Sequence, residues 1–265
     1  MADPIQKILV LVPNWLGDAA MSTPALRALH KRFAAAHITV AGRASACALL
    51  AGLPWLHGFV ALPARPNLLK LVQLGRRLRP HSRDLAVVLP HGFRAALLAR
   101  LSGAARRLGY DRDRRALLLT DAVPPHREHG AIRPIYMAKE YLDLVRRLGC
   151  EDDGEGLELR AAPEAVAAAR AHLGDGGPVV GIAAGAAFGP SKRWPAEYYA
   201  RLADILAERA GARCVLLTGP GEENTREAVQ AAARTRLIEC DRGQPTIDTL
   251  KAAVSQLDLL VGNDS

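Results

Sequence analysis

The sequence is poor in cysteine, aromatic residues and lysine, and it has no long apolar run. Its four cysteines, Cys47, Cys150, Cys214 and Cys240, are widely spaced, without a C-x-x-C pair or a neighbouring histidine cluster. This spacing indicates neither a disulfide framework nor a zinc site. We therefore expect reduced, mostly buried thiols.

The apolar run nearest the amino terminus is short. It ends at Pro13 and Asn14, which makes it too brief for a signal-peptide core or a transmembrane span. We expect a cytoplasmic protein with no transmembrane segment, whose only membrane contact would be transient attachment to a membrane face.

The charge balance is basic, and the excess is almost entirely arginine. There are 35 Lys and Arg residues against 27 Asp and Glu, but only six are Lys, and the pI is near 9.7. Arginine suits bidentate contact with phosphate, so an anionic partner is indicated, such as a sugar nucleotide or a phosphorylated lipid. Because aromatics are only 5% and do not interleave with the arginine pairs, we expect no nucleic-acid partner, although the pI alone would allow one.

Short apolar runs alternate with amphipathic segments along the whole chain, which predicts parallel sheets covered by helices on both faces. Strands are expected near 7–12, 38–41, 59–62, 85–89, 107–110, 179–184, 214–218, 237–240 and 257–262. Helices are expected near 24–33, 68–78, 93–101, 135–148, 163–173, 195–209, 222–234 and 246–255. The break in composition over 150–178 predicts a linker and a bridging helix between two Rossmann-like domains, 1–160 and 161–265.

One stretch combines a strand, a glycine-punctuated loop and a helix opened by Pro195. The free N–H groups and the dipole at such a helix start favour phosphate, and Lys192 adds a full positive charge. The same pattern builds most α/β connections whether or not they bind a ligand. It is neither a Walker A loop nor a G-x-G-x-x-G fingerprint.

The residues of that loop, GAAFGPSKRWP at 185–195, closely resemble the signature loop of the bacterial lipopolysaccharide heptosyltransferases, glycosyltransferase family 9, and of its type II branch in particular. The resemblance runs from ILVLVPNWLGD to LLVGNDS. It implies an α/β fold of GT-B type, with two Rossmann-like, doubly wound parallel-sheet domains facing a cleft. The second domain is expected to be incomplete at its carboxyl end, because the sequence stops directly after a predicted strand.

The resemblance also implies the reaction. The enzyme would move heptose from ADP-L-glycero-D-manno-heptose to a heptose of the lipopolysaccharide inner core, with inversion at the anomeric carbon. Its partners would be the ADP-heptose donor and a lipid A-core oligosaccharide acceptor at the inner membrane face. No metal and no other cofactor would be needed. Asp111-Arg112-Asp113 is similar to a D-x-D metal motif, but it lies in an arginine-rich loop, and we assign no metal to it.

The resemblance assigns the donor to loops of the second domain. The implied donor-binding residues are Gly185, Ala187, Phe188, Ser191, Lys192, Glu222, Asp264 and Ser265. Lys192 is also assigned to catalysis, because its charge would hold the departing diphosphate. The residues alone leave alternatives open: Glu222 and Glu223 can be first-turn acids that complement a helix dipole, and the N-D-S run can be an N-cap cluster.

In the first domain, Gly17-Asp18 matches a G-D pair whose aspartate is the family's proposed catalytic base, so Asp18 is the expected base. Asp18 can also simply cap a helix, although Thr23-Pro24 is the better helix start. The implied acceptor-binding residues are Asn14, Trp15, His91 and Arg94, the last two because LPHGFR resembles the family's L-P-N-S-F-K run. A lone loop histidine such as His91 is more often a structural hydrogen-bonding residue.

Two other functions stay open. Within the family, the chain can be a type I or III heptosyltransferase or an enzyme that uses another sugar, because acceptor choice lies in loops whose code cannot be read. In a different class, it can be a non-catalytic remnant that only binds a nucleotide sugar. Binding of ADP without transfer would distinguish the second possibility.

Overall fold

The structure, a computed structural model, describes residues 5–185, 192–219, 221–240 and 246–263. The chain divides into two compact units, Met1–Arg160 and Ala161–Ser265. Within the described ranges, no helix has both the length and the apolar character needed to cross a bilayer. Each unit is built on its own parallel sheet.

The first unit contains a six-stranded sheet. Its strands are β1 (Lys7–Leu11), β2 (His37–Gly42), β3 (Gly58–Ala61), β4 (Leu85–Val88), β5 (Arg106–Tyr110) and β6 (Asp121–Val123). They lie in the order β3-β2-β1-β4-β5-β6, and every neighbouring pair is parallel. The chain direction of winding reverses between β1 and β4. Ligands in open α/β sheets bind outside the carboxyl ends of the strands at such a point.

Six helices and a small hairpin complete the first unit. The helices are α1 (Leu16–Met21), α2 (Thr23–Arg32), α3 (Ala44–Leu50), α4 (Leu68–Leu78), α5 (Phe93–Leu101) and α6 (Met137–Val145), and β7 (Arg127–Glu128) pairs with β8 (Ala131–Ile132). Alternate residues of β1, Leu9 and Leu11, join a buried cluster with residues of α4 and α5. The period of two in the strand thus gives one sheet face to these helices.

Arginine and acidic residues fasten the end of the first unit to α2. The guanidinium of Arg27 donates to both carboxylate oxygens of Asp153, at 2.7 Å each, and to the carbonyl of Gly156 at 2.9 Å. The hydrogen bond to Asp153 raises the pKa of Arg27 despite its burial, and the same bond lowers the pKa of Asp153. The acidic segment that the sequence marks as a linker is therefore tied to the first unit by a largely buried ion pair.

The second unit contains a four-stranded sheet. Its strands are β9 (Val179–Ala183), β10 (Arg213–Leu216), β11 (Ile238–Glu239) and β12 (Leu259–Gly262), in the parallel order β11-β10-β9-β12. Its helices are α7 (Pro163–Leu173), α8 (Ala196–Ala210), α9 (Glu223–Ala232) and α10 (Ile247–Val254). Because α7 packs against α10 and Leu173 enters the core of this unit, α7 is a helix of the second unit and not the predicted bridge.

The four cysteines are buried thiols, as the sequence predicted. Burial raises the pKa of Cys150 to about 11, and it also raises the pKa of Cys47 and of Cys214. The thiolate is the reactive form of cysteine. These three residues are therefore not candidate nucleophiles.

Candidate active site

A pocket of about 450 Å³ opens at the carboxyl ends of β1 and β4. It lies at the reversal point of the first sheet, where a ligand is expected. Four of the residues predicted from the sequence line it: Asn14, Trp15, Asp18 and His91. The fold thus brings the expected base and three of the four expected acceptor contacts into one cavity.

Asp18 lies in the first turn of α1, a short helix that the sequence did not predict. The N-cap residue, Trp15, makes no side-chain capping hydrogen bond, and a carboxylate in the first turn complements the helix dipole. The next helix, α2, begins at Thr23 with Pro24 in its first turn, as expected. Asp18 is half-buried and also faces the pocket, so a helix-start role and a role in the pocket coexist.

Behind His91 lies a buried acid, Glu140, that the sequence did not single out. The Nε2 atom of His91 is 3.0 Å from the carboxylate of Glu140, and the guanidinium of Arg112 lies 3.5 Å from the same oxygen and 2.8 Å from Nδ1 of His91. Burial alone raises the pKa of the Glu140 carboxyl. The hydrogen bond and charge of His91, together with Arg112 and His126, outweigh burial, and the pKa is lowered. Glu140 is therefore held as a carboxylate that orients two basic side chains toward the pocket.

A fully buried arginine shapes the loop that carries His91. Arg115 donates to the carbonyl of Tyr110 at 2.8 Å and to the carbonyls of Pro90 and Gly92. Burial lowers the pKa of Arg115 to about 10, so its guanidinium remains charged at neutral pH. Three carbonyl bonds from one rigid guanidinium fix the path of the backbone on both sides of His91.

Arg94 takes a different position from the one expected. It is in the first turn of α5, and its guanidinium donates to the carbonyl of Pro66 at 3.2 Å. It is not among the residues that line the pocket. The side chain points along the edge of the sheet toward the loop before α4, because α5 starts two residues beyond His91 and turns away from it.

In the second unit, Glu222 and Gly185 lie against each other. The carboxylate of Glu222 accepts the N–H of Gly219 at 2.7 Å, and a Cβ atom added to Gly185 would collide with that carboxylate. Only a glycine at 185 leaves room for the acid at the carboxyl end of β9. The geometry therefore joins two of the predicted donor residues, one from each of two neighbouring strand ends.

The neighbouring acid, Glu223, has a local role. It begins α9 and accepts the N–H of Gly221 at 3.1 Å, and hydrogen bonds from backbone N–H groups, its own first and then that of Gly221, lower its pKa. A first-turn carboxylate of this kind complements the helix dipole. The two alternatives that the sequence left open thus divide between the two acids: Glu223 serves the helix, and Glu222 reaches back to the sheet edge.

Asn263 joins three parts of the second unit, although the sequence analysis did not select it. Its amide nitrogen donates to the carbonyls of Ala184 and Gly185, and its oxygen accepts the N–H of Trp194 and the hydroxyl of Tyr199 at 2.9 and 2.8 Å. These bonds connect the ends of β9 and β12 to the start of α8. An Asn that directly follows a strand in an N-D-S run was the available signal.

The remaining donor predictions are only partly covered by the structure. Lys192 is described, with an exposed side chain, three residues before Pro195 and the start of α8. Ala187, Phe188, Ser191, Asp264 and Ser265 lie outside the described residues. Their assignment as donor-binding residues stays a prediction.

Comparison with known proteins points in one direction. The family model of glycosyltransferase family 9 (heptosyltransferase) matches residues 71–265. Lipooligosaccharide heptosyltransferase 2 of Haemophilus ducreyi is 29% identical over 223 residues, which is 79% of this chain and 62% of that protein. Lipopolysaccharide heptosyltransferase 2 of Escherichia coli K12 is 28% identical over 274 residues, which is 98% of this chain and 77% of that protein. The chain thus matches 62–77% of the length of these curated relatives.

A solved structure gives the same result in three dimensions. The structure of E. coli ADP-heptose LPS heptosyltransferase II superposes with a TM-score of 0.82 at 27% identity, over 98% of this chain and 80% of that one. The predicted GT-B fold, with parallel-sheet α/β units, is confirmed by this match.

Proposed function

Since this chain belongs to glycosyltransferase family 9, the heptosyltransferase family, we propose that the protein transfers L-glycero-D-manno-heptose from ADP-heptose to a heptose of the lipopolysaccharide inner core. The observation that carries the proposal is the position of Asp18 in the pocket at the reversal point of the first sheet. The similarity to enzymes named heptosyltransferase 2 supports the choice of sugar and acceptor.

Asp18 acts as the general base. Its carboxylate takes the proton of the acceptor hydroxyl while that oxygen attacks the anomeric carbon of the donor heptose. The bond from the anomeric carbon to the diphosphate oxygen breaks as the new glycosidic bond forms, and ADP leaves with the electron pair. Attack from the face opposite ADP inverts the anomeric centre.

Lys192 and Glu222 serve the donor. Lys192 holds the negative charge that develops on the departing diphosphate, and Glu222, fixed by the N–H of Gly219, accepts a hydrogen bond from a ribose hydroxyl. Loss of one preorganised donor group to a developing charge costs about 3 kcal/mol in comparable sites. Ala187, Phe188, Ser191, Asp264 and Ser265 complete the donor-binding set in this proposal.

The acceptor occupies the pocket of the first unit. Asn14 and Trp15 are exposed at its rim, where an indole can lie against a sugar ring, and His91 faces the cavity from the other side. Arg112 adds positive charge for a phosphorylated acceptor. Such an acceptor is attached to lipid at the cytoplasmic face of the inner membrane, and the enzyme works there as a peripheral protein. Arg94 binds the acceptor in this proposal only if its side chain leaves Pro66.

The proposal is tested by release of ADP from ADP-heptose with and without a heptose-deficient lipopolysaccharide acceptor. Asp18→Asn keeps the shape of the side chain and removes the base, so acceptor-dependent release should fall by about 10² to 10⁴-fold. Affinity for ADP, measured by calorimetry, should stay nearly unchanged. Asp175→Asn, which alters an exposed acid of the second unit, is the matched control and should leave both quantities as they are.

Two outcomes would contradict the proposal. Equal loss of ADP affinity and of release in Asp18→Asn would overturn the assignment of the base. ADP binding by the wild-type chain without any acceptor-dependent release would favour the nucleotide-sugar-binding remnant.

A further inference from the structure

The first turn of α4 carries an apolar patch on the protein surface. Leu68 and Leu69 are 73% and 70% exposed, and Val72, one turn further, is exposed as well. Single exposed leucines are ordinary, but three apolar side chains on adjoining positions of one helix form a contiguous surface. We refer to Leu68, Leu69 and Val72 as the α4 patch.

The opposite face of α4 prevents the helix from rotating to bury this patch. Leu71, Gly75 and Leu78 are buried on that face. A Cβ atom on Gly75 would lie 2.5 Å from Cβ of Leu101, which shows how closely α4 approaches α5. The exposure of the patch is therefore fixed by a tight helix contact on the other side.

The start of α4 is also fixed. The side chain of Asn67 accepts the N–H of Lys70 at 2.9 Å, as an N-cap does, and Arg94 donates to the carbonyl of Pro66 just before it. Such capping bonds hold the first turn of a helix in place. The leucines are thus presented on an ordered turn.

Positive charge surrounds the patch. Arg65, Lys70, Arg76 and Arg77 are exposed beside it, and within the described residues none of them takes part in an ion pair. Between residues 19 and 110 the sequence has fourteen Lys or Arg residues and one acid, Asp84.

The whole first unit shares this positive charge. It contains 24 basic and 14 acidic residues and carries a net charge of +10, whereas the second unit, with 11 and 13, carries −2. The excess positive charge of the chain therefore lies entirely in the unit that bears the α4 patch.

The patch lies at the same edge of the sheet as the pocket. The loop before α4 follows β3, and the residues that line the pocket follow β1 and β4, all in one parallel sheet. The hydrogen bond from Arg94 to Pro66 joins the two regions directly. A surface that meets the patch therefore also meets the edge where Asp18 lies.

We propose that the α4 patch docks on an anionic phospholipid surface. Leu68, Leu69 and Val72 enter the boundary between headgroups and acyl chains, and the surrounding arginines and Lys70 bind headgroup phosphates, as in interfacial amphipathic helices. Three apolar side chains are far fewer than the roughly 20 residues a side of a stable protein interface, which favours lipid as the occupant. That docking delivers a lipid-anchored acceptor to the pocket rests on the proposed function.

The test is partition of the full chain onto lipid vesicles, measured by flotation without ADP-heptose or acceptor. Vesicles of phosphatidylglycerol and phosphatidylethanolamine are compared with vesicles of phosphatidylcholine alone. The wild-type chain should bind the anionic vesicles, and added salt should weaken that binding. Leu68→Ser with Leu69→Ser should lower the partition coefficient at least about tenfold, because the apolar contribution is lost while the charges remain.

Leu157→Ser is the matched control. Leu157 is 49% exposed but lies in the acidic segment, so its loss should leave partition unchanged. Thermal unfolding of each variant checks that the fold is intact. Wild-type binding to neither vesicle, or equal partition of the double variant and the wild type, would overturn the proposal, as would self-association that depends on Leu68 and Leu69 without lipid binding. Because neither substrate is present, these outcomes are independent of whether heptose transfer is observed.

Discussion

Glu140 links two basic side chains of the pocket from a buried position on α6. His91 and Arg112 reach it from the loops after β4 and β5. Replacement by Gln removes the negative charge but keeps the shape, which leaves Arg112 partly buried beside a neutral amide. We expect Glu140→Gln to lower the free energy of unfolding by about 3 kcal/mol, and to raise KM for the acceptor more than it lowers kcat, since His91 loses its orientation.

The same carboxyl gives the prediction a pH dependence. The folded pKa of Glu140 lies below its usual value of 4.5, so the unfolded chain binds the proton more readily. This contribution to stability is present in full above about pH 4.5 and is lost as pH falls through the lowered pKa. Urea unfolding between pH 3.5 and 6 should show a smaller pH slope for Glu140→Gln than for the wild type. Identical slopes would mean that Glu140 does not contribute as described. Glu151→Gln, which changes an exposed acid, should keep the wild-type slope.

Residues that follow strands could be predicted from the sequence, and residues that reach the site from helices could not. Asp18 and His91 come directly after β1 and β4, and a parallel sheet puts those strand ends at one edge. Glu140 sits within a helix that reads as an ordinary amphipathic segment, and only the tertiary fold brings it to His91, 49 positions earlier. For Arg94 the strand-end argument was too coarse, because a helix begins before it and turns its side chain toward Pro66.

At the scale of elements, the contact between α4 and α5 depends on Gly75. A Cβ atom there would approach Leu101 Cβ at 2.5 Å and its backbone carbonyl at about 3 Å. Backbone cannot yield as a flexible side chain can. Although alanine favours the helix by about 1 kcal/mol, we expect Gly75→Ala to destabilise the protein by about 1 to 2 kcal/mol through overpacking. Chemical denaturation measures the effect, and Gln73→Ala on the exposed side of α4 is the control. Unchanged or increased stability of Gly75→Ala would show that α4 can shift away from α5.

Long elements with clear periodicity were predictable from the sequence. The bounds of α4, α5 and α7 coincide with the predicted ranges, because capping residues or proline mark their starts and their apolar faces are regular. The sequence missed α1 and α3. Neither has a side-chain cap at its N-cap position, and both are short, so only their contact with each other over the sheet stabilises them. The short strands β6, β7 and β8 were missed because they are polar.

At the scale of the whole molecule, the first unit has what a separate domain needs. It has its own sheet and core, and Arg27 holds its last acidic segment through Asp153. We expect a fragment of residues 1–160 to fold on its own, with a cooperative thermal transition by circular dichroism.

A shorter fragment is the matched control for this prediction. Residues 1–150 lack Asp153 and Glu158, which would leave the guanidinium of Arg27 buried without its carboxylates. This fragment should be less stable than 1–160 by about 3 to 5 kcal/mol. Equal stability of the two fragments would show that the acidic segment is not needed, and a non-cooperative transition of 1–160 would contradict its independence.

The buried cysteines have a practical consequence for spectroscopy. Because all four thiols are inaccessible, maleimide reagents that need an exposed thiolate should leave the native chain unmodified. A single cysteine introduced at a surface position then becomes the only site of attachment for a spin label or a fluorophore. With Leu69→Cys, the immersion depth of that label could be read from quenching by a lipid-soluble paramagnet, without first removing any native residue.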